Sequence, residues 1–422
     1  VTKGDLTQRV LAGGTDPGRK VIEIMSSPVV SLPETALLYE GMLEMKRRNI
    51  SHIALHGPDG EIMGVAGYRE ILEAQHQTTE LLIHEIETTE EVDHLATLYL
   101  RLPVLVKALL ESGSSSRNIT RIITLVGDAI HRRLVSLALE EQGPPPCTFA
   151  FIVMGSQGRG EQTLLTDQDN GIIYEEASPE REEEVRTWFL KLGKKINEDL
   201  DRVGYRRCKG GIMAGNTGWS LNLDQWKEQF GRWIRESDPQ SVMDAAILFD
   251  FRHIYGEGTL VDELREHVHE VATHQPVFFY HMAQSVIKMK APVTLFGNIR
   301  SESQDDEDYL DLKRILLPVT SFIRLYALRE KLQATNSLER AEQLHAGQIF
   351  DAGLLEELTR SFDFITLLRI RNQARLINNN EPPENRIDLH RLSQIDLAIL
   401  KRLSTDIAGL QTRLTTDFSS GQ

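Results

Sequence analysis

The chain has 422 residues, enough for two to four domains with large cores. Lys and Arg number 47 against 62 Asp and Glu, and the resulting net charge of −15 argues against broad nucleic-acid binding, where a basic footprint is expected. Cys147 and Cys208 form no metal-ligand or redox spacing, and no apolar run reaches the roughly 18 residues a membrane span needs, so we expect a protein of the reducing cytoplasm with no membrane partner.

The first residue is Val1 rather than Met, and no charged-then-apolar signal segment opens the chain, which reads as part of something longer. Residues 1–77 form an α/β region. Val21-Ile22-Glu23-Ile24-Met25 leads through Ser26-Ser27-Pro28 to Val29-Val30, and a helix over Ala36 to Arg48 carries Leu38, Met42 and Met45 at helical spacing. Strands at Ile53–Leu55 and Ile62–Val65 flank the turn Gly57-Pro58-Asp59-Gly60. This pattern resembles a CBS domain, an adenosine-nucleotide-sensing module that works in pairs. Thr2-Lys3-Gly4-Asp5-Leu6 is similar to the end of a first copy, where the resemblance implies that Thr2 and Asp5 contact ribose and phosphate. The second copy departs from that pattern, with Gly67 and Glu70 at the matching positions. The resemblance implies an adenine nucleotide at the module and a homodimer formed through it. A purely structural module is the alternative.

Residues 78–146 read as a helical linker. After Ser114-Ser115-Ser116, the residues Ile119, Ile122, Ile123, Val126, Ile130 and Leu134 fall at helical spacing, a stripe for packing. Gly143-Pro144-Pro145-Pro146 makes a stiff joint into the next domain, 147–290.

That domain opens on the most informative stretch. An apolar strand, Phe149 to Met154, breaks at Gly155-Ser156 into a turn with Gly155, Gly158 and Gly160. Such glycines let backbone amides approach an anion closely. A short helix starting near Gln157 adds a favourable partial charge. Ser156 offers a hydroxyl, and Arg159 a fork of donors suited to phosphate. Asp167 and Asp169 then precede a second apolar run, Gly171 to Tyr174. Residues at i and i+2 of a strand share a face, so both carboxylates can converge on a hard cation such as Mg²⁺. The loop reads G-x-x-G-x-G, not the dinucleotide G-x-G-x-x-G, and it lacks the lysine of a Walker A loop.

Gly155-Ser156, Gly158-Arg159, Glu161-Gln162 and Thr166-Asp167-Gln168-Asp169-Asn170 resemble the signature of the nucleotidyltransferase superfamily that includes DNA polymerase β. The likeness is to bacterial DUF294-type proteins with a CBS domain, related to protein-PII uridylyltransferase and glutamine-synthetase adenylyltransferase. The resemblance implies a triphosphate held by the Gly-Ser turn and two Mg²⁺ ions on the Asp-x-Asp pair. It also requires a third carboxylate on a neighbouring strand. Ala245 to Gly256 is apolar and aromatic with Asp250 in its middle, so Asp250 is the expected third ligand and base, and pairing with Arg252 or capping a turn is the alternative. A second glycine-rich stretch, Cys208 to Asn216, also resembles the family. It places Lys209 near the phosphates or forms a plain loop.

Beyond Asp250 the chain turns helical. His269-Glu270 is followed by His274, one residue too far for a zinc-binding His-Glu-x-x-His. Over 291–422, amphipathic segments at Leu310–Gln333, Ser337–Ala346, Ala352–Ile377 and Ser393–Leu414 predict a helical bundle, and Glu180–Glu184 and Glu302–Asp308 read as solvated acidic runs. Asp311-Leu312-Lys313-Arg314, Asn336 to Arg340 and Arg369 to Gln373 resemble the family's C-terminal domain, which implies that Lys313 and Arg371 reach a base or phosphate.

The expected fold is therefore multidomain α/β plus α: a CBS module, a helical linker, a mixed-sheet nucleotidyltransferase core and a C-terminal bundle. The expected chemistry is in-line attack of an acceptor hydroxyl on the α-phosphorus of UTP or ATP. Two metals roughly 3.5–4 Å apart would stabilise the entering and leaving oxygens. The relation to protein-PII uridylyltransferase implies a protein acceptor of the PII kind. The rivals are a non-catalytic adenine-nucleotide sensor and transfer to a small molecule.

Overall fold

The computed structural model describes residues 1, 5–36, 38–48, 50–236, 246–289, 302–304 and 307–418. It divides into two units, Val1–Glu80 with Glu111–Gly113, and Leu81–Leu110 with Ser114–Gln422.

In the first unit, β1 (Ser31–Pro33) pairs parallel with β2 (His52–His56), which pairs antiparallel with β3 (Ile62–Gly67). Helix α1 (Leu38–Arg48) crosses between β1 and β2, and α2 (Tyr68–Thr88) follows β3. Its small core is Met45, Ile53 and Ile71, which places Met45 and Ile53 of the expected helix and strand inward, while the side chains of Leu38 and Met42 lie outside the described residues. Asp5 lies 3.4 Å from Arg9 across one helical turn. Thr2, the other expected nucleotide contact, falls outside the described residues.

The second unit is organised by a four-stranded mixed sheet in the order β6-β5-β4-β7. Its strands are β4 (Phe149–Val153), β5 (Asn170–Tyr174), β6 (Ser220–Asn222) and β7 (Arg252–Gly256). Strand β4 runs antiparallel to both β5 and β7, and β5 runs parallel to β6. Every residue of β4 and β5 is buried, as a continuous apolar run requires when both faces of a sheet are covered. Alternation still sorts them. Phe149, Phe151, Val153, Ile172 and Tyr174 enter one core, whereas Ala150, Ile152 and Ile173 enter the other.

The first core is covered by α3 (Val92–Tyr99), α4 (Leu102–Glu111), α5 (Ser116–Gln142) and, after β5, α7 (Glu182–Val203). Ile119, Ile122, Ile123, Val126, Ile130 and Leu134 of α5 are all buried there. The helices expected as a linker thus bury an apolar face in the core of the sheet domain. Between β4 and β5 stands a single helical turn, α6 (Gly155–Gly158).

The second core runs without a break from the sheet into the C-terminal helices. It takes residues from α8 (Leu223–Arg235), α9 (Gly258–Thr273), α10 (Pro276–Ile287), α11 (Leu312–Arg329), α12 (Ser337–Ala346), α13 (Ala352–Asn378) and α14 (Gln394–Asp417). A small antiparallel sheet departs from the expectation of helices alone: Glu302–Gln304, Glu307–Asp311 and Arg386–Asp388 pair in the order β8-β9-β10. Residues 302–308 are too acidic to show an apolar alternation, so a strand there is invisible to hydrophobic patterning. Among the described residues, no helix is long and apolar enough to cross a membrane.

Candidate active site

Strands β5 and β7 begin at the sheet edge where β4 ends, because both are antiparallel to it. The glycine turn, Asp167, Asp169 and Asp250 are therefore brought to one edge. The Met154 amide donates to the Asp169 carbonyl at 2.8 Å, tying the end of β4 to the carboxylate segment. Gly155 (φ 61°) and Gly160 (φ 68°) adopt the left-handed conformation that favours glycine. Gly158 serves close approach instead: a Cβ there would lie 1.8 Å from the Asp250 carbonyl oxygen.

Side chains alternate along 167–170. Asp167 and Asp169 line the cleft, while Gln168 and Asn170 are buried behind it. Asn197 of α7 donates to Gln168 Oε1 at 3.0 Å and to Asn170 Oδ1 at 2.9 Å, and Gln168 donates to the carbonyls of Asn197 and Tyr205. The second glycine-rich stretch supports the same network from behind. The Ala214 amide donates to Asn170 Oδ1 at 2.9 Å and the Gly215 amide to Asn197 Oδ1 at 2.7 Å. Lys209 is exposed and is not part of the cleft wall.

One oxygen of Asp167 accepts from Arg206 at 2.9 and 3.2 Å, and its side chain keeps 31% exposure. Burial raises the Asp169 carboxyl above the usual range, helped by repulsion from Asp167. A hydrogen bond from Cys208 and the charges of Lys313 and Arg159 act the other way. Gly155, Ser156, Arg159 and Lys313 line the same cleft, as expected.

Asp250 departs from expectation. It is fully buried, and three guanidinium groups occupy its two oxygens. Arg340 donates to Oδ1 at 2.6 Å, whereas Arg159 and Arg324 reach Oδ2 at 2.8 and 2.7 Å. Burial alone would raise this carboxyl, but Arg324, Arg340 and Arg159 together hold it far below the usual range. Fully buried, held by three guanidinium groups and outside the cleft lining, Asp250 stands as an anchored carboxylate with little affinity for a proton and does not face the cleft as a ligand or base. Arg252, its expected alternative partner, pairs with Asp128 of α5 at 2.9 Å and donates to the Gln157 carbonyl at 3.1 Å.

Arg159 is held in place as well. Its Nε donates to Glu161 at 2.7 Å, and Glu161 accepts from the Ser337 amide at 2.6 Å. Asn336 donates to the Arg159 carbonyl at 3.0 Å, and Thr335 donates to the Gly158 carbonyl at 2.7 Å. The glycine turn is thus fastened to the start of α12. Burial opposes the charge on Arg159, but Glu161 and Asp250 outweigh it and raise its pKa above the ordinary arginine value.

The opposite wall comes from α11 and α13: Leu316, Leu317, Thr320 and Arg324 from the first, Phe362, Thr366 and Arg369 from the second. Arg371 is exposed and does not line the cleft, since two residues along a helix turn a side chain to the far side. The enclosed space is about 80 Å³. Small-molecule pockets usually exceed about 300 Å³, so this space suits a small group rather than a whole nucleotide.

Asp167 and Asp169 supply hard oxygens on one face and fit a divalent cation that keeps water or phosphate in its other positions. Among the described residues, no three His, Cys, Asp or Glu side chains converge in metal-binding geometry. The pair therefore stands without the third carboxylate.

Family models match three segments: CBS domain over 21–77, Putative nucleotidyltransferase DUF294 over 100–240, and Putative nucleotidyltransferase substrate binding domain over 276–418. Together these matches mark a nucleotidyltransferase that carries a CBS domain. No curated protein matches it. The DUF294 match contains the glycine turn and the Asp-x-Asp pair, while the substrate-binding match contains Lys313, Arg324, Arg340 and Arg369. The cleft lies between these two segments. Sequence reasoning missed Arg206, Arg324, Arg340, Thr366 and Arg369. Arginines on amphipathic helices look solvated until their partners are known, and only the matched DUF294 motifs around Arg340 and Arg369 offered a signal.

Proposed function

We propose that this nucleotidyltransferase moves a nucleoside monophosphate from UTP or ATP to a hydroxyl of a protein acceptor, with Mg²⁺ at Asp167 and Asp169. The supporting observation is one cleft in which the Gly155-Ser156 turn faces both carboxylates. The Gly155-Ser156 turn and Lys313 would bind the phosphates, and the bound cation would supply charge neutralisation there. Catalysis then rests on positioning and on fixed charges meeting the developing negative charge. Arg159 meets the cleft as a guanidinium already oriented by Glu161 and Asp250.

A PII-like acceptor follows from the resemblance to protein-PII uridylyltransferase. The CBS region would take an adenine nucleotide, with Thr2 and Asp5 as contacts, regulate transfer and pair two copies of the chain. One observation favours a second reading. With Asp250 withdrawn from the cleft, the remaining carboxylate pair also suits nucleotide binding without turnover.

The deciding experiment incubates the protein with Mg²⁺ and each α-labelled nucleoside triphosphate in a cell lysate, beside an Asp167→Ala/Asp169→Ala control. Label on a protein band only with the intact enzyme is the expected result. Label on a small molecule would replace the acceptor class. No label in any fraction, from folded protein, would favour the sensor.

A further inference from the structure

Three guanidinium groups line the cleft, and they differ in what meets their charge. Arg159 pairs with Glu161 and Asp250, and Arg324 pairs with Asp250. Arg369 has no ion pair among the described residues. Its Nε and Nη2 donate to the neutral Oδ1 of Asn385 at 3.2 and 3.0 Å, and no hydrogen bond engages Nη1. It is 8% exposed, and burial pulls its pKa down to about 10, with repulsion from Arg159 adding to the shift and attraction from Asp311 and Glu161 too weak to compensate. A desolvated cation without a counter-ion is costly.

One turn earlier on the same helix stands a second orphan. Thr366 is 1% exposed, lines the cleft, and its Oγ1 has no hydrogen-bond partner. Threonine inside a helix commonly bonds a carbonyl one turn back. Thr120 does so to Ser116 at 3.0 Å, and Thr320, across the cleft from Thr366, bonds Leu317 at 3.1 Å. Thr366 does not. A buried positive charge and a buried free hydroxyl, three residues apart on one helix face, are complementary to an oxyanion. Asn385 holds the guanidinium fork so that its free edge stays available.

We infer that Thr366 and Arg369 form a phosphate subsite on the bundle wall, opposite the glycine turn, which takes the polyphosphate end of the nucleotide and the pyrophosphate product. The inference rests on the nucleotidyl-transfer reading of the cleft. The glycine turn and the carboxylates then hold the reacting phosphate from the sheet side, and Arg369 holds the leaving phosphates from the helix side. Arginine suits this role because its planar fork donates to Asn385 and to a phosphate at once.

The test titrates inorganic pyrophosphate into the whole chain by calorimetry, without divalent metal. Wild type should bind. Arg369→Gln should weaken binding about 10-fold or more, and Thr366→Val by a few-fold, the difference between charged and neutral hydrogen bonds. Arg371→Gln, two residues away and exposed, should bind as wild type. Thr366→Val removes an unpaired buried hydroxyl and should melt no lower than wild type, whereas Arg369→Gln also gives up two bonds to Asn385, so its melt is measured before its affinity is read. Arg369→Lys keeps the charge without the fork and should fall between wild type and Arg369→Gln. Wild type that does not bind pyrophosphate would overturn the subsite, as would variants that bind it unchanged. Unchanged pyrophosphate affinity with a raised KM for the acceptor would also overturn it, by giving the site to the acceptor. Pyrophosphate affinity is read without turnover or an acceptor, so its failure is distinguishable from failure of the labelling experiment.

Discussion

Asp169 and Asp250 stand just ahead of β5 and β7, the two strands that flank β4, and topology brings both to the same edge of the sheet. Asp169 faces the cleft, with its pKa raised by burial and by its neighbour Asp167. Asp250 faces the bundle, with three arginines on its two oxygens. One carboxylate has unmet coordinating capacity and suits a cation. The other is buried away from the cleft among three guanidinium groups and works as an anchor between the glycine turn and helices α11 and α12. Strand position alone does not distinguish them; the cations delivered by other parts of the chain do.

The largest test of that contrast is stability. Asp250→Ala leaves Arg324 and Arg340 without their counter-ion and Arg159 with Glu161 alone, and breaking a buried pair from one side costs about 3–5 kcal/mol. Denaturant unfolding of Asp250→Ala beside Asp169→Asn should show that loss only in the first. Asp169→Asn should stay within about 1 kcal/mol of wild type while losing transfer. Equal stability of the two variants would break the comparison.

Acid titration sharpens it. Burial pushes His131 and His269 down to about 4, against an ordinary value of 6.5. The unfolded chain then takes up these protons first as pH falls. Stability from the neutral imidazoles is complete above about pH 6.5 and is lost as pH drops toward about 4. Asp250, held below its unfolded value, contributes stability above the ordinary carboxylate range near 3.9, lost only as pH falls further. The unfolding midpoint should therefore decline in two separate limbs. His131→Leu or His269→Leu should flatten the first and leave the second. A wild-type profile that is flat between pH 7 and 4.5 would contradict this order.

The smallest effect belongs at the surface. Arg117 of α5 and Glu342 of α12 form a two-bonded pair at 2.6 and 3.1 Å, with about half of each side chain exposed. Solvent screens such pairs, so Glu342→Ala should cost about 0.2–1 kcal/mol. A loss as large as that of Asp250→Ala would mean that burial is not what separates the two kinds of pair.

Much of the fold was legible in advance because its signals are local. The strands at Phe149 and Gly171, the packing stripe of α5 and the four C-terminal helices follow from apolar runs and helical spacing. Gly155 and Ser156 with the Asp-x-Asp pair were legible as a site for the same reason, being spaced along one strand-turn-strand segment. The small sheet at 302–311 was not legible, because its acidic residues hide any alternation. Lys209 and Arg371 were placed at the site by resemblance, but local geometry turns both toward solvent.

Sequence alone therefore determined the glycine turn and the carboxylate pair that line one cleft, and the nucleotidyltransferase class. Tertiary structure decided what the remaining charges do. Arg324, Arg340 and Arg159 lie 74, 90 and 91 residues from Asp250 along the chain, yet they share its two oxygens. Arg369 differs from them in forming no ion pair among the described residues, its fork being held by Asn385 instead. Whether a buried charge is an anchor or a ligand site depends on its counter-ions, and those arrive by long-range packing that neither periodicity nor spacing records.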